Sequence, residues 1–542
     1  MVLNVSSPEP KLGQIFTRRW VAETLLDLAG YTVSQPLESM TVVEPAVGEG
    51  AFLAPILQRL LDRALGRGVR LASLSEAVRA YELDHEKVLL SRRLCVEALE
   101  LAGMEPDAAV AMAQQWVQEQ DYLLAADTVP VDIVVGNPPY IRYDDLKSGQ
   151  FALYQTKWKT LTGRGDIYVG FWEKALASLK PGGRVAFICA DRWMRNNYGS
   201  RLREVVGERY GVRVVWSMHD VDAFHCKVSS YPAITVIANE SQGPVAVAET
   251  SAAFGSRSAE ELSRWSLGRG RRKEGAGYRA DRLSHWYTGR GLWPTGSPER
   301  LALLDSLSGL PTIEESGVTV GIGLASGADA SYVVDTAPVE PDRLLPMATR
   351  LSIGPHGLEW AGEHLVNPWG PDGSLVSLAD YPRLDEYLSN SAGVASRHVA
   401  KKNPDRWHRT IDRVIPGLAK RSKLLIPDMR SHVQPYLDEQ GLYPHHNFYW
   451  LISDVWDLRV LGGLLLSDVA EAFVEAYCVR MRGGTLRLQA QYLRTIRLPH
   501  ADTICTETAH ELRLAFAHRD RARASAAARV AYGLESEQEL AS

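Results

Sequence analysis

A stiff polar turn follows an apolar run near residue 137. The run Asp132–Val135 has the β-branched composition of a buried strand, and Asn137-Pro-Pro-Tyr140 comes directly after it. Two consecutive prolines hold the backbone extended. The Asn137 amide oxygen and the Pro138 carbonyl would then be neighbouring acceptors, with the Tyr140 ring close behind them. This pattern suits a planar amino group on an aromatic ring, such as the exocyclic amine of adenine.

Two acceptors at such an amine have a chemical consequence. The exocyclic nitrogen of adenine is a weak nucleophile because its lone pair is conjugated into the ring. Two acceptors favour a tetrahedral nitrogen and stabilise the charge that develops during its attack, so no strongly basic side chain is needed. The alternative is an ordinary turn after a strand. The position of the turn at the carboxyl end of an apolar strand, where ligands bind in open α/β sheets, favours a site.

The first predicted strand ends in a carboxylate followed by a small-residue turn. Glu44 is followed by Pro45, Ala46, Val47 and Gly48. Glycine in this turn lets the backbone pass close to a ligand. The turn lacks the first glycine of the GxGxxG pyrophosphate loop and carries an acid instead, so it disfavours a pyrophosphate and tolerates a cation.

Acidic residues also end the next two predicted strands. Glu82 is placed to accept from ribose hydroxyls, as in dinucleotide folds. Asp121 and Tyr122 are placed to meet an adenine amine and its ring face. Each carboxylate alone is typical of a solvated strand end. Together with Asn137, they predict a pocket for an adenosine that carries a positive charge.

Alternating strand and helix patterns between about residues 14 and 240 position these residues. The sequence predicts an α/β fold with a Rossmann-like, seven-stranded sheet and crossover helices. The predicted strands are Thr41–Glu44, Arg79–Leu83, Trp116–Gln118, Asp132–Val135, Arg184–Ile188, Val212–Trp216 and Ala233–Ile237. The predicted helices are Thr17–Ala29, Ala51–Leu65, Glu86–Leu101 and Ile167–Leu179, the last ending at Lys180-Pro-Gly-Gly183.

The chain after residue 240 differs in composition and in its secondary-structure pattern. We predict a domain over 1–240, a Gly-, Ser- and Arg-rich linker over 241–289 and an α+β domain over 290–500. The last residues, 501–542, are rich in Ala, Glu and Arg and predict a helical tail.

Length and charge set the class of protein. A chain of 542 residues predicts two or three domains. The formal net charge of −5 hides local differences: residues 1–140 carry 11 basic against 19 acidic side chains, 141–240 carry 15 against 10, and 391–432 carry 10 against 3. A near-neutral total therefore does not exclude a polyanionic partner.

Cysteine use and apolar runs indicate the compartment. The five cysteines are scattered singly, which argues against a zinc ribbon or a disulfide framework. We find neither a secretory signal nor an apolar run near the length that a bilayer span requires. The expectation is a cytoplasmic protein with no membrane partner.

The motif order between about residues 12 and 240 resembles the gamma-class (Taq-type, Eco57I-like) N6-adenine DNA methyltransferases of restriction-modification and phage-defence systems. The segments that carry the resemblance are Gly13-Gln-Ile-Phe-Thr17, Glu44-Pro-Ala-Val-Gly-Glu-Gly50, Asn137-Pro-Pro-Tyr140, Arg164-Gly-Asp-Ile-Tyr-Val-Gly-Phe171 and Ala223-Phe-His-Cys-Lys-Val-Ser-Ser230. The resemblance implies S-adenosylmethionine as the cofactor and duplex DNA as the substrate.

The resemblance also implies roles for single residues. Thr17 would contact the methionine part of S-adenosylmethionine, and Phe171 would lie against its adenine. Glu82 corresponds to the ribose-binding acid, and Asp121 with Tyr122 to the adenine-binding pair. Phe224 would cover the flipped target base opposite Tyr140. The alternative for Phe224 is an ordinary core aromatic.

Residues 290–500 resemble the target-recognition domain of that family less specifically. Segments that echo its patterns include Tyr443–Trp450, Leu461–Ser467 and Tyr492–Pro499. The candidate phosphate contacts are Lys401, Lys402, Arg406, Arg409, Lys420, Arg421 and Lys423. Their alternative is a solvated helix face. The pair His445-His446 has no partner at metal-ligand spacing, so the sequence predicts no metal.

Three alternatives remain open. Asn-Pro-Pro-Tyr also occurs in methyltransferases of RNA bases and of protein glutamine side chains, but those resemble compact proteins without a long segment after the sheet. A non-catalytic DNA-binding subunit would have no need for all of Glu44, Glu82, Asp121 and Asn137. A combined endonuclease-methyltransferase would need more than about a dozen residues before the first motif. We therefore expect any restriction endonuclease or other defence-system subunit to be a separately encoded protein.

Overall fold

The computed structural model describes residues 17–126, 129–225, 231–354, 357–391, 393–478 and 486–534. They form two compact units, Met1–Ala302 and Leu303–Ser542. Within the described ranges, no helix is both long and apolar enough to cross a membrane.

The first unit is built on a mixed sheet that has ten strands among the described residues. Its spatial order is β3-β2-β1-β4-β5-β7-β6-β8-β10-β9. The strands are β1 (Val42–Glu44), β2 (Val78–Glu82), β3 (Val117–Glu119), β4 (Val131–Gly136), β5 (Leu179–Ala190), β6 (Gly211–Ser217), β7 (Pro232–Ala238), β8 (Val245–Thr250), β9 (Lys273–Gly275) and β10 (Tyr278–Leu283).

The strand directions give the sheet a parallel half with an edge for ligands. Strands β3, β2, β1, β4 and β5 run parallel to their neighbours, whereas β7 is antiparallel to both β5 and β6. Alternate residues face opposite sides: Val42 and Ile133 enter one apolar core, and Val43 and Val134 enter the other. The prediction of a large α/β sheet is confirmed, and each of the seven predicted strands overlaps one of its strands.

The prediction of a seven-stranded sheet followed by a linker over 241–289 is wrong. Strand β8 pairs parallel with β6, and β10 and β9 extend the sheet through antiparallel pairs. The buried positions of this segment include Val245–Ala248 and larger side chains such as Phe254 and Trp286, whereas all of its arginines except the half-buried Arg282 are exposed. The high local content of Gly, Ser and Arg made the short strands β8, β9 and β10 difficult to recognise from sequence.

Helices cover the faces of this sheet. They are α1 (Arg19–Ala29), α2 (Leu53–Gly66), α3 (His85–Leu101), α4 (Pro106–Trp116), α5 (Gln150–Lys157), α6 (Tyr168–Ala177), α7 (Arg192–Arg195), α8 (Ser200–Arg209), α9 (Ser256–Leu267) and α10 (Pro298–Ser306). The predicted stop Lys180–Gly183 belongs to β5, where it produces an irregular register against β4, and α6 ends just before it.

The second unit combines helices with small sheets. Its strands are β11 (Val318–Ile322), β12 (Val333–Val334), β13 (Leu344–Ala348), β14 (Ile353–Gly354), β15 (Gly357–Leu358), β16 (His364–Val366), β17 (Lys423–Pro427), β18 (Met429–Arg430), β19 (Tyr436–Asp438), β20 (Tyr443–Pro444), β21 (Phe448–Ser453) and β22 (Leu486–Arg487). Two four-stranded sheets have the orders β11-β21-β17-β19 and β12-β16-β13-β20. The helices are α11 (Asp329–Tyr332), α12 (Pro382–Asn390), α13 (His398–Lys402), α14 (Leu458–Leu466), α15 (Asp468–Tyr477), α16 (Ala490–Leu493), α17 (Thr506–His518) and α18 (Arg521–Ala531).

The predicted C-terminal helix is broken into two. Helix α17 is followed by Arg519, which has a left-handed backbone with φ of 55°, and the Asp520 carboxylate caps α18. Both pack against α14. Gly462 of α14 permits this approach, because a Cβ there would lie 2.5 Å from the Phe516 ring of α17.

Candidate active site

The carboxyl ends of four adjacent strands bring the predicted polar residues to one edge of the sheet. Strands β3, β2, β1 and β4 are consecutive neighbours and run parallel. Glu44 and Glu82 therefore end on the same side as Asn137, and Asp121 follows β3 there. These residues are far apart in sequence but close in space, because each connection between parallel strands returns the chain to the other edge of the sheet before the next strand begins.

A cavity of about 610 Å³ opens at this edge. Its volume lies within the range of small-molecule and cofactor sites. The predicted residues that line it are Thr17, Pro45, Ala46, Gly48, Glu82, Asp121, Tyr122, Asn137 and Phe171. Glu44, Pro138, Tyr140 and Phe224 are outside this lining.

Glu82 fixes the glycine turn. Its carboxylate accepts from the backbone N–H of Gly48 at 2.8 Å, of Leu83 at 2.8 Å and of Asp84 at 2.9 Å. Gly48 has a φ of 58°, a left-handed conformation that glycine adopts without a steric penalty. One carboxylate thus ties the turn after β1 to the end of β2 and retains further lone-pair positions for a ligand.

Asp121 is held from two sides. It accepts from the Leu123 backbone N–H at 2.9 Å and from the Tyr154 hydroxyl at 2.6 Å. The Tyr154 oxygen in turn accepts from the Gln150 amide at 2.7 Å. Helix α5 therefore fixes the orientation of an acid at the cavity wall.

An aromatic group forms another wall. The Tyr122 ring lies 5.2 Å from the Tyr81 ring and 5.3 Å from the Phe171 ring, measured between centroids. The buried Lys174 ammonium sits 4.8 Å from the Tyr122 ring and donates to the Tyr122 carbonyl at 2.6 Å. Burial raises the pKa of Tyr122. This wall offers apolar contact for a planar base.

Asn137 is oriented by Thr17, the first residue that the structure describes. Its amide nitrogen donates to the Thr17 hydroxyl at 3.2 Å. Thr17 forms an isolated antiparallel bridge with Phe224, and the Arg18 N–H donates to the Ala223 carbonyl at 3.0 Å. The backbone at Phe224 is thereby linked through Thr17 to Asn137. Residues 13–16 and 226–230 of the two predicted motifs lie outside the described residues.

The two aromatic residues predicted to hold the target base lie apart from the cavity lining. Phe224 is 5% exposed and belongs to the core on one face of the sheet. Tyr140 is half-buried, packs edge-on against Tyr168 at 6.1 Å, and its hydroxyl donates to the Ile188 carbonyl at 3.4 Å. Pro138 beside it is buried. The role of Phe224 remains a prediction.

Glu44 lies beneath the glycine turn and is 1% exposed. Burial raises its pKa well above the usual value, and the negative charge of Glu82 adds to this shift. The predicted cofactor acid is therefore a buried carboxyl behind the lining residue Pro45.

Sequence patterns missed several lining residues. Leu83 is 62% exposed beside Glu82, and Tyr154 comes from α5, a helix that no pattern predicted. The further unpredicted residues include Lys87, Ile141, Lys147 and Gln150. An apolar side chain directly after the Glu82 acid was the available signal for Leu83. No comparable sequence signal indicated α5, the helix that follows Asn-Pro-Pro-Tyr and carries Tyr154.

Comparison with known proteins places the chain in a family. A family model described as Eco57I restriction-modification methylase matches residues 99–224. The chain is 41% identical over 539 residues to the Type II methyltransferase M.PaeR7I of Pseudomonas aeruginosa, an alignment that covers 98% of this chain and 93% of that protein. The chain belongs to the Type II methyltransferases.

A second relative agrees with this placement, and a solved structure shares the fold. The Type II methyltransferase M.XhoI of Xanthomonas vasicola is 40% identical over 537 residues, covering 97% of this chain and 98% of that protein. The Type IIL restriction-modification enzyme MmeI, solved in complex with DNA, matches with a TM-score of 0.50 at 13% identity and covers 96% of this chain and 74% of that chain. The structural likeness supports the fold alone. The resemblance to restriction-modification methylases is confirmed.

The basic stretch of this Type II methyltransferase divides into two groups. Lys401, Lys402, Arg406 and Lys420 are exposed. Arg409 lies 5.9 Å from the Trp369 ring, and Arg421 pairs with Asp454. Contact of the first group with phosphates remains a prediction, whereas Arg409 and the likewise exposed Arg421 have protein partners.

The prediction that Lys423 contacts DNA is wrong. Its side chain is fully buried and pairs with Asp438 at 2.7 Å. Burial lowers the pKa of Lys423, and the Asp438 carboxylate opposes that shift. Lys423 begins β17, where its ammonium also donates to the Ala419 and Arg421 carbonyls. The basic stretch therefore contains a lysine, Lys423, whose buried charge stabilises the fold.

Among the C-terminal motifs, Tyr443–Trp450 forms β20, a turn and the first half of β21. The turn carries His445 and His446, and the fold brings the Asp329 carboxylate to them from α11. No third ligand is evident near these histidines in the sequence because Asp329 is far away along the chain.

Proposed function

We propose that this Type II methyltransferase transfers a methyl group from S-adenosylmethionine to N6 of an adenine in duplex DNA and so protects DNA within a restriction-modification system. The observation that carries the proposal is the position of Asn137-Pro-Pro-Tyr140. It directly follows β4, and Asn137 lines the cavity while bonded to Thr17. The family placement favours this function over the alternatives of RNA-base or protein-glutamine methylation and of a non-catalytic subunit.

The chemistry of the cavity fits S-adenosylmethionine. Carboxylates at Glu82 and Asp121 suit ribose hydroxyls and an adenine amine, and the Phe171 and Leu83 side chains suit the two faces of a purine. Lining residues Pro45–Gly48 and Thr17 are then available to the methionine part. The cofactor supplies an electrophilic methyl group next to a positively charged sulfur. The nearby Glu44 carboxyl would favour a cation, since its own ionised form lacks a strong positive partner.

The chain's own residues would orient the target amine. The Asn137 amide oxygen and the Pro138 carbonyl accept its two N–H bonds, and Tyr140 lies against the base. S-adenosylmethionine bound in the cavity would supply the methyl group, and the Asn137 and Pro138 acceptors would orient the lone pair of the amine and pass its displaced proton to solvent. Much of the rate comes from positioning.

The target adenine must leave the duplex to reach this site. Extrusion of a base costs a few kcal/mol of stacking and pairing. We propose that Phe224 covers the second face of the extruded base. Tyr140 supplies the first face.

The second unit would recognise DNA. The exposed side chains Lys401, Lys402, Arg406 and Lys420 favour phosphate contacts, which position a protein without reading sequence. A separately encoded restriction endonuclease as the functional partner remains a prediction.

The test uses S-adenosylmethionine labelled in its methyl group. Purified protein should transfer the label to duplex DNA. An Asn137→Ala variant should lose transfer while retaining cofactor binding, because it removes the acceptor and leaves most of the cavity wall. Label that appears only in RNA or protein, or full transfer by Asn137→Ala, would contradict the proposal.

A further inference from the structure

The second unit contains a cluster of two histidines and a carboxylate that the methyltransferase chemistry does not use. One ligand atom from each of Asp329, His445 and His446 lies within 4.8 Å of the others. The His445 and His446 rings are 4.0 Å apart between centroids. The His445 Nε2 atom is 3.2 Å from an Asp329 carboxylate oxygen.

Each imidazole of this cluster has a ring nitrogen without a hydrogen-bond partner among the described residues. His445 is 6% exposed, and the Nδ1 atoms of both His445 and His446 are buried without a hydrogen-bond partner among the described residues. A buried polar atom left unpaired costs about 1–3 kcal/mol. Two such atoms in adjacent residues point to a further partner for the cluster outside the described residues.

The backbone holds the histidines rigidly. The His445 N–H donates to the Ala348 carbonyl at 3.0 Å, and the His446 N–H donates to the Leu324 carbonyl at 3.0 Å. A Cβ at Gly323 would lie 2.1 Å from the His445 carbonyl oxygen, so the two chain segments approach closely. The turn directs both rings to one side, whereas consecutive residues of a regular strand point to opposite faces.

The carboxylate is oriented as metal ligands usually are. The Ser326 hydroxyl, which is fully buried, donates to the other Asp329 oxygen. Hydrogen bonds of this kind fix the orientation of ligating carboxylates. The cluster therefore combines two imidazoles with negative charge.

We propose that Asp329, His445 and His446 bind a divalent transition-metal ion, with Zn²⁺ as the preferred ion. Two imidazole nitrogens and one carboxylate oxygen form a borderline ligand set that suits Zn²⁺ and leaves a fourth position for water. Bonds of about 2.0–2.2 Å place tetrahedral ligand atoms about 3.4 Å apart. Asp329 has 47% of its side chain exposed and can move the short distance required.

The role of the ion would be structural. It would join the turn after β20 to the first residue of α11, both within the second unit. None of the three ligands lines the cavity of the first unit. The proposal is therefore independent of the methyl-transfer chemistry.

Metal binding can be measured directly on the untagged full-length chain. The protein carries Cys505→Ser, because the exposed Cys505 thiol would bind Zn²⁺ by itself. After chelator treatment and dialysis, Zn²⁺ is titrated against a chromogenic competitor, and Co²⁺ binding is followed by its visible absorption. We expect one ion per chain, Co²⁺ bands of tetrahedral or five-coordinate intensity, and a higher melting temperature with Zn²⁺.

Matched variants locate the ion. Asp329→Asn and His446→Ala should each weaken Zn²⁺ binding at least tenfold and abolish the thermal shift. His364→Ala, in β16 of the same unit, should leave both unchanged. Asp329→Asn keeps the shape of a partly exposed side chain, and circular dichroism of the metal-free protein checks its fold. Absence of a stoichiometric ion in the titrated protein, or equal binding by Asp329→Asn and His446→Ala, would overturn the proposal.

Discussion

The Asn137 amide nitrogen donates to the Thr17 hydroxyl at 3.2 Å. These residues are 120 positions apart, and Thr17 is also bridged to Phe224. The amide that we expect to receive the target amine is therefore oriented by the same residue that we expect to contact the cofactor. Thr17 connects the cofactor side of the site to its base side.

Thr17→Val should slow methyl transfer about tenfold, because loss of one hydrogen bond worth about 1–1.5 kcal/mol releases the Asn137 amide. Single-turnover rates at saturating cofactor and DNA measure this effect. Thr17→Ser keeps the hydroxyl and should retain most of the rate. A Thr17→Val enzyme as fast as the parent would show that the bond does not position Asn137.

Tyr154→Phe should weaken S-adenosylmethionine binding about fivefold, since it removes the hydroxyl that donates to Asp121 at 2.6 Å and with it about 1 kcal/mol. Isothermal titration calorimetry gives the dissociation constant. Tyr143→Phe, on an exposed ring nearby in the chain, is the control and should bind normally. Equal affinity of both variants would remove Asp121 and Tyr154 from the cofactor site.

Glu44→Gln should stabilise the cofactor-free protein, and the gain in melting temperature should grow from pH 5 to pH 8. The folded-state pKa of Glu44 is raised by burial, so the native state binds a proton that the unfolded state releases above about pH 4.3. Stability associated with Glu44 therefore falls as pH rises toward its folded-state pKa, and glutamine removes that loss. A gain that shrinks with rising pH would contradict the assignment of a buried neutral carboxyl.

Two kinds of lysine in the basic stretch should behave differently. Lys423→Met leaves Asp438 buried without its cation and should lower the free energy of unfolding by about 3–5 kcal/mol. The pair Lys401→Ala and Lys402→Ala should leave stability unchanged and weaken DNA binding. It should also reduce the slope of log K against log salt by about 0.9 for each phosphate that is no longer neutralised. Denaturant titration and salt-dependent binding separate these outcomes. An unchanged salt slope would exclude the two exposed lysines as phosphate ligands.

The residues at the strand ends could be predicted because their signals are local. Short runs of strand-forming residues located β1, β2 and β4, and the rule that parallel strands share a carboxyl edge then brought Glu82, Asp121 and Asn137 together. These inferences require only the direction of each strand. They do not require knowledge of which distant side chains meet.

The missed features depend on distant partners or on composition that hides a pattern. Lys423 looks like its exposed neighbours until Asp438 is placed beside it. His445 and His446 lacked a third ligand until the fold delivered Asp329. Strand β8 was concealed by the polar residues around it, although its own residues are buried.

The central claim is methylation of adenine N6, and the identity of the methylated nucleoside tests it most directly. Genomic DNA from a host that lacks this enzyme is incubated with the protein and S-adenosylmethionine, digested to nucleosides and analysed by mass spectrometry against standards. We predict N6-methyl-2′-deoxyadenosine with the parent enzyme and none above background with Asn137→Ala. Methylated cytosine as the product, or no methylated nucleoside from a protein that binds S-adenosylmethionine, would contradict the account.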